Sequence, residues 1–199
     1  MKNYPTKRIV AAAFLLGVGL CTSVFAQSGA TALAPELAPV ASLDLPRYQG
    51  TWHQLAFYPN KFQARCVSDT RAVYSLLDDG TVRVANQCRG ADGQAVEAIG
   101  QAKPAGSATV QQGQLVPPKL KVRFAPQWLA WLPMVWGDYW VIQLAADYRY
   151  VVVGEPKREF LWVLARATAL TDADWSAIQA RLKEQGYDAA QLVREKHHP

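Results

Sequence analysis

The sequence predicts an all-β protein, a closed antiparallel barrel with one helix packed on its outside. Three observations point there. Short segments of strand-like alternation recur from Arg47 to Ala165 with turn-forming residues between them. One segment of helical period follows, from Thr171 to Gly186. Roughly 155 residues remain once the N-terminal region is set aside, enough for one domain with a sizeable core. Closure suits so many short strands because it leaves no open sheet edge.

The N-terminal region reads as a targeting segment. Lys2, Lys7 and Arg8 precede an apolar run from Ile9 to Leu20, and Val24-Phe25-Ala26 offers a small residue at a cut, so residues 1–26 are expected to be a secretory signal peptide. The run is too short for a permanent membrane span. Cys21 offers the other route, lipidation as the first residue of a bacterial lipoprotein, although Leu20 is bulkier than that processing prefers. Both routes export the chain, to the periplasm or the outer membrane. Residues 27–42, rich in Ala, Pro and Ser, read as a flexible tether, and 43–199 as the folded domain. Cutting after Ala26 removes three of the 21 basic residues and none of the 16 acidic ones, leaving 18 against 16. That balance, with no basic cluster, excludes nucleic acid as an expected partner.

The first strand spans Arg47 to Tyr58. Alternation puts Trp52, Gln54, Ala56 and Tyr58 on one face and Thr51, His53, Leu55 and Phe57 on the other. Gly50 lets another segment approach just before the indole turns inward. Segments 67–77 and 81–87 form a hairpin around Asp78-Asp79-Gly80, whose residues tolerate the positive φ of tight turns. After the turn at 89–93 comes a strand over 96–102, then a loose region 104–118 with a weak strand near Thr109. Lys119 to Phe124 alternates charge with apolar residues, giving one wet face and one dry face, Leu120, Val122 and Phe124. Segments 138–145, 148–154 and 160–165 are aromatic and β-branched strands. Thr171 with Asp174 resembles a capping box, Trp175, Ile178 and Leu182 repeat at helical spacing, and Gly186 ends the helix. A last short strand is expected over 192–195.

Three of these segments carry a resemblance. Gly50-Thr51-Trp52 on the first strand, Ala146-Asp147-Tyr148 at a late turn and Arg166 after the last main strand, in Leu161-Trp162-Val163-Leu164-Ala165-Arg166, resemble the three signatures of the lipocalins. Ala146 stands where that family usually has Thr. The resemblance runs from about Leu43 to Val193, and the runs Trp52 to Phe62, Tyr74 to Gly80 and Trp162 to Arg166 look like those of the bacterial outer-membrane lipocalins and apolipoprotein D. It implies an eight-stranded up-and-down barrel with the signatures at its closed end. Arg166 should then lie across Trp52, a cation–π contact of about 1–2 kcal/mol when shielded, with Asp147 and Tyr148 beside it as structure and not catalysis. Loops 59–66, 88–95, 125–137 and 154–159 would surround the open mouth.

An eight-stranded barrel is just wide enough for one small ligand. The inward candidates are Tyr74, Val84, Phe124, Tyr139, Val141, Val152 and Trp162, joined by Trp128 at the rim. This lining suits an acyl chain, favoured by about 0.8 kcal/mol per buried methylene. Lys61, Arg65, Arg89, Lys157 and Arg158 at the mouth suit an anionic head, so a fatty acid or lysophospholipid is the expected ligand. Cys66 and Cys88, in an exported chain, read as a disulfide before a metal site or a reactive thiol. The plain hairpin register does not set them opposite, so a bulge or loop excursion is required. The apolar run Trp128 to Trp136 is a lid, a membrane contact or a dimer surface, and the oligomeric state stays open. No cofactor, metal or catalytic motif is recognised, and His53 faces away from the cavity. The alternatives to an exported lipid carrier are an enzyme on the same barrel and an interaction module using the tryptophan run.

Overall fold

A computed structural model of the chain describes residues 36–106 and 115–198. The signal segment, Cys21, the first part of the tether and the weak strand near Thr109 lie outside the described residues.

The described chain begins along the barrel, and not as a free tether. Leu37 is buried, Val40 N–H donates to the Val141 carbonyl, and Ala38 N–H donates to Gln185 Oε1. Strand β1 (Leu43–Asp44) then leads into a one-turn helix α1 (Leu45–Tyr48), whose cap is the Asp44 carboxylate accepting from Arg47 N–H. Arg47 and Tyr48 are therefore helical, one turn ahead of the first barrel strand. The pre-set φ of Pro46 suits that turn.

Eight strands close the barrel: β2 (Gly50–Phe57), β3 (Ser68–Leu76), β4 (Val82–Arg89), β5 (Ala95–Pro104), β7 (Lys119–Arg123), β8 (Gly137–Leu144), β9 (Tyr150–Gly154) and β10 (Leu161–Ala165). Each pairs antiparallel with the next, and β10 returns to β2. The short β6 (Leu115–Val116) pairs with β1 apart from this sheet. Helix α2 (Asp172–Glu184) has Thr171 as its cap, accepting from Asp174 N–H, and ends before β11 (Val193–Arg194).

The barrel wall separates two cores. Inside lie Trp52, Tyr74, Val84, Val141, Val151, Val153 and Leu164; outside, under α2, lie Leu55, Ala56, Ile142, Val152, Leu161 and Val163 with Ile178, Leu182 and Tyr187. Helix packing brings the Tyr187 hydroxyl so close to Gly154 that an added Cβ would sit 2.2 Å from it. Two register shifts govern which residues face which core. Opposite β10, Leu55 is the extra residue between Gln54 and Ala56, and opposite β9, Ile142 is the extra residue between Val141 and Gln143. Trp52 and Gln54 thus face inward, whereas Ala56 and Tyr58, expected on their face, join the outer core.

Candidate functional site

The closed end is built around Trp52, which is fully buried. Its indole N–H donates to the Tyr48 carbonyl at 2.8 Å, and the Arg166 guanidinium lies 3.8 Å from its ring centroid. Arg166 also donates to the carbonyls of Thr51 and Arg47 at 2.9 and 2.7 Å, so one side chain ties α1, β2 and the segment after β10 together. Gly50 has φ +89°, and a Cβ there would meet Arg166 Nη1 at 3.4 Å; glycine serves both the turn and the approach. Tyr148 takes the left-handed φ of +63° that ends the β8–β9 turn; its hydroxyl accepts from Asp44 N–H and Arg47 lies over its ring. Asp147 accepts from Arg149, which also reaches Asp174 on α2.

Above this plug the inner wall is apolar, with one polar feature. The Tyr139 hydroxyl is 2.7 Å from that of Tyr48 and 2.9 Å from that of Tyr74. Burial pushes the Tyr74 hydroxyl up to about 12 and the other two well above their usual range, so all three stay protonated. Leu45, Val82, Val84, Ala102, Leu120 and Val122 complete the walls around a free space of about 10 Å³, the size of one water.

Toward the mouth the interior becomes polar and opens. Residues of β5 on the inner side pass from buried (Ala102) through half-buried (Gly100) to exposed (Ala98). A directed chain of hydrogen bonds crosses this level. Trp162 Nε1 and Asn60 Nδ2 donate to Gln63 Oε1, Gln63 Nε2 donates to Gln54 Oε1, and Gln54 Nε2 donates to Glu195 Oε2. The other Glu195 oxygen accepts from the Thr70 hydroxyl at 2.9 Å and from its N–H at 3.3 Å.

Cys66 and Cys88 form a disulfide with Cα atoms 5.6 Å apart. The register shift between Ser68 and Arg71, with Val67 N–H donating to the Arg89 carbonyl, brings them into reach. The tryptophan run does not close over the cup. Trp136 is held on the outer wall, 4.3 Å from Lys103 Nζ and 5.2 Å from the Arg123 guanidinium, with its N–H donating to the Ala130 carbonyl. Buried Arg123 ties the loop down through Ala125, Gln101 and Gln127. Trp128, Trp131 and Met134 project outward, 74, 77 and 85% exposed.

Of the inward candidates, Tyr74, Val84 and Tyr139 line the small cavity, Val141 lies in the inner core, and Trp162 packs against that core at the mouth. Val152 belongs to the outer core; β9 is apolar on both faces because α2 covers one of them, which hides its parity in the sequence. Phe124 is 43% exposed beyond the end of β7, its ring against Gly100. Trp128 belongs to the outer surface and not to the lining, because Trp136 pins its loop to the outer wall. Tyr48 was hidden by its place in α1, and Glu195 and Thr70 by a pairing between chain segments far apart in sequence. Some rim cations have partners: Arg89 pairs with Asp69 and Arg158 donates to the Gln185 carbonyl. Among the described residues no group of three or more His, Cys, Asp or Glu is placed to hold a metal ion, and no helix is long and apolar enough to cross a membrane.

Comparison with known proteins places these features in context. A family model described as a lipocalin-like domain matches residues 43–197. The chain is 34% identical to temperature-induced lipocalin-1 of Arabidopsis thaliana over 79% of its own length and 81% of the relative's. It is 30% identical to the outer membrane lipoprotein Blc of Escherichia coli, over 97% of this chain and 96% of that one. Among solved structures, insecticyanin from Manduca sexta superposes with a TM-score of 0.61 at 20% identity, covering 82% of this chain and 86% of its own.

Proposed function

This chain belongs to the lipocalin family, whose members generally bind small hydrophobic molecules, and on that premise we propose that it carries a lipid or similar apolar ligand in its cup at the bacterial cell envelope. The observation that carries the reading is the gradient along the inner wall. Apolar side chains and Trp52 close one end, while the inner face of β5 becomes solvent-exposed at the other. A single-chain amphiphile fits that division, with its tail against the apolar lower wall and its head at the polar upper level. The lower wall is packed to water-sized free space, so the tail enters from the mouth and rotates side chains as it descends. Fatty acids and lysophospholipids both have such a tail and differ in the head. The name of the Escherichia coli relative, an outer membrane lipoprotein, supports an envelope location.

Native mass spectrometry of the purified protein, followed by organic extraction, tests this reading. A co-purifying acyl species displaced by added lysophospholipid, with a change in tryptophan fluorescence, is the expected result. Empty protein that ignores a panel of fatty acids and lysolipids would count against it.

A second role is supported by the exposure of Trp128, Trp131 and Met134 beside the mouth. Large apolar side chains clustered in the open are an attachment surface, and we propose that they contact the membrane from which the ligand is taken.

A further inference from the structure

We infer that Glu195 is the head-group residue of the cup, and that it selects amphiphiles bearing a protonated amine over those ending in a carboxylate. The inference rests on the ligand-in-barrel reading above and adds the chemistry of the head.

The C-terminal segment is part of the barrel wall. β3 pairs with β2 only from Gly50 to His53. Above that level β11 takes the place of β3, with Val193 opposite Phe57 and Arg194 opposite Ala56, and Glu195 N–H donates to the Leu55 carbonyl. The Asp69 N–H then donates to the Lys196 carbonyl, which closes the gap on the β3 side. Arg194 shares the outward side of Ala56, its guanidinium 3.2 Å from the ring centroid of Trp175 on α2. Alternation therefore turns Glu195 inward, where its carboxylate meets the inward-facing Gln54 and buried Thr70.

All the donors that hold this carboxylate are neutral. Gln54 supplies one and Thr70 two, and among the described residues Glu195 enters no ion pair. The hydrogen bonds from Trp162 and Asn60 through Gln63 and Gln54 all run toward it, so each donor in the chain points at the carboxylate. Three arginines on the neighbouring strands are engaged elsewhere, and His197 lies against the Gln54 carbonyl and Asp69. Arg71 donates to Gln87, Arg89 pairs with Asp69, and Arg194 covers Trp175. The upper cup thus presents a half-buried carboxylate that Trp162 reaches only through Gln63 and Gln54. Partial burial makes such a charge expensive without a counter-ion. An ammonium head would supply that counter-ion, whereas a carboxylate head would bind against like charge.

Two probes of equal chain length, dodecylamine and dodecanoate, separate the outcomes when titrated at pH 7 into delipidated protein and followed by calorimetry. At that pH the amine is protonated and the acid ionised. The unaltered protein should bind the amine about tenfold more tightly, the size of a charge contact between partly shielded groups. Raising the salt should shrink the difference. Glu195→Gln, which keeps the shape and an acceptor oxygen, should bring the two affinities within about twofold, and Glu195→Lys should reverse their order. A merely structural tie for the tail would lower both affinities together and leave their ratio unchanged. Equal affinities, or a preference for dodecanoate in the unaltered protein, would overturn the inference while leaving the carrier reading standing. Binding of neither probe would overturn both. If the Gln variant fails to fold, the ratio in the unaltered protein and its salt dependence decide the matter.

Discussion

Tyr48, Tyr74 and Tyr139 place three hydroxyl protons in an apolar pocket that offers two hydrogen bonds among them. Tyr139 is the hub, since both bonds involve its oxygen. Replacing it with Phe strips the other two hydroxyls of their shared partner at once, and a buried hydroxyl left without a partner costs about 1–3 kcal/mol. Tyr139→Phe should therefore lower the melting temperature more than Tyr74→Phe, which leaves the Tyr48–Tyr139 bond in place. Equal shifts in a thermal melt would show that the ring packing, and not the hydroxyls, carries the stability. At this scale the sequence was readable where a residue type is rare and its partner rarer. Trp52 after Gly50, and Arg166 after the last strand, fall on two segments that meet in the structure at 3.8 Å. Glu195 was not readable, because a glutamate near the end of a chain has no pattern to mark it. Only the pairing of β11 with the upper half of β2 gives it a role.

Between elements, strand positions were legible and strand faces only partly so. Period-two alternation locates β2, but the extra residue at Leu55 reverses its parity midway, and the shift at Ile142 does the same in β8. β9 offered no parity to read, since all five of its residues are buried. The β3–β4 hairpin shows the opposite case. Its turn residues fixed the plain register, and the failure of that register to join the two cysteines foretold the irregularity found between Ser68 and Arg71. The disulfide spans a sequence separation of 22 residues at the mouth end of this hairpin. On the chain-entropy account it should stabilise by about 3 kcal/mol. Cys88→Ser should accordingly lower stability by that amount in denaturant titrations under oxidising conditions and by much less with reductant present. The same loss in both conditions would mean that the buried Cys88 side chain matters for packing, not for the link.

The molecule as a whole has a polarity that no single strand reveals. Its closed end is sealed by α1, Trp52 and Arg166, its cup opens at the other end, and the tryptophan loop hangs outside that opening. The loop's composition was plain in the sequence, but its direction was not. Trp136 alone is anchored, by Lys103 and Arg123, and the anchor turns Trp128 and Trp131 away from the cup. Lining and loop are thus separate surfaces, and their functions should separate as well. Burying two indoles in a membrane interface is worth about 1.5–3 kcal/mol for each large side chain, whereas neither ring supports the fold. Serine at both positions, Trp128→Ser with Trp131→Ser, should leave the melting temperature and the affinity for a soluble short-chain amphiphile unchanged. Co-sedimentation with phospholipid vesicles should fall at least about tenfold, and uptake of a fluorescent lipid from those vesicles should slow with it. Unaltered sedimentation would remove the membrane role from this loop. Sedimentation lost with uptake at its normal rate would mean that the ligand reaches the cup through solution, and that docking serves only to hold the protein in place.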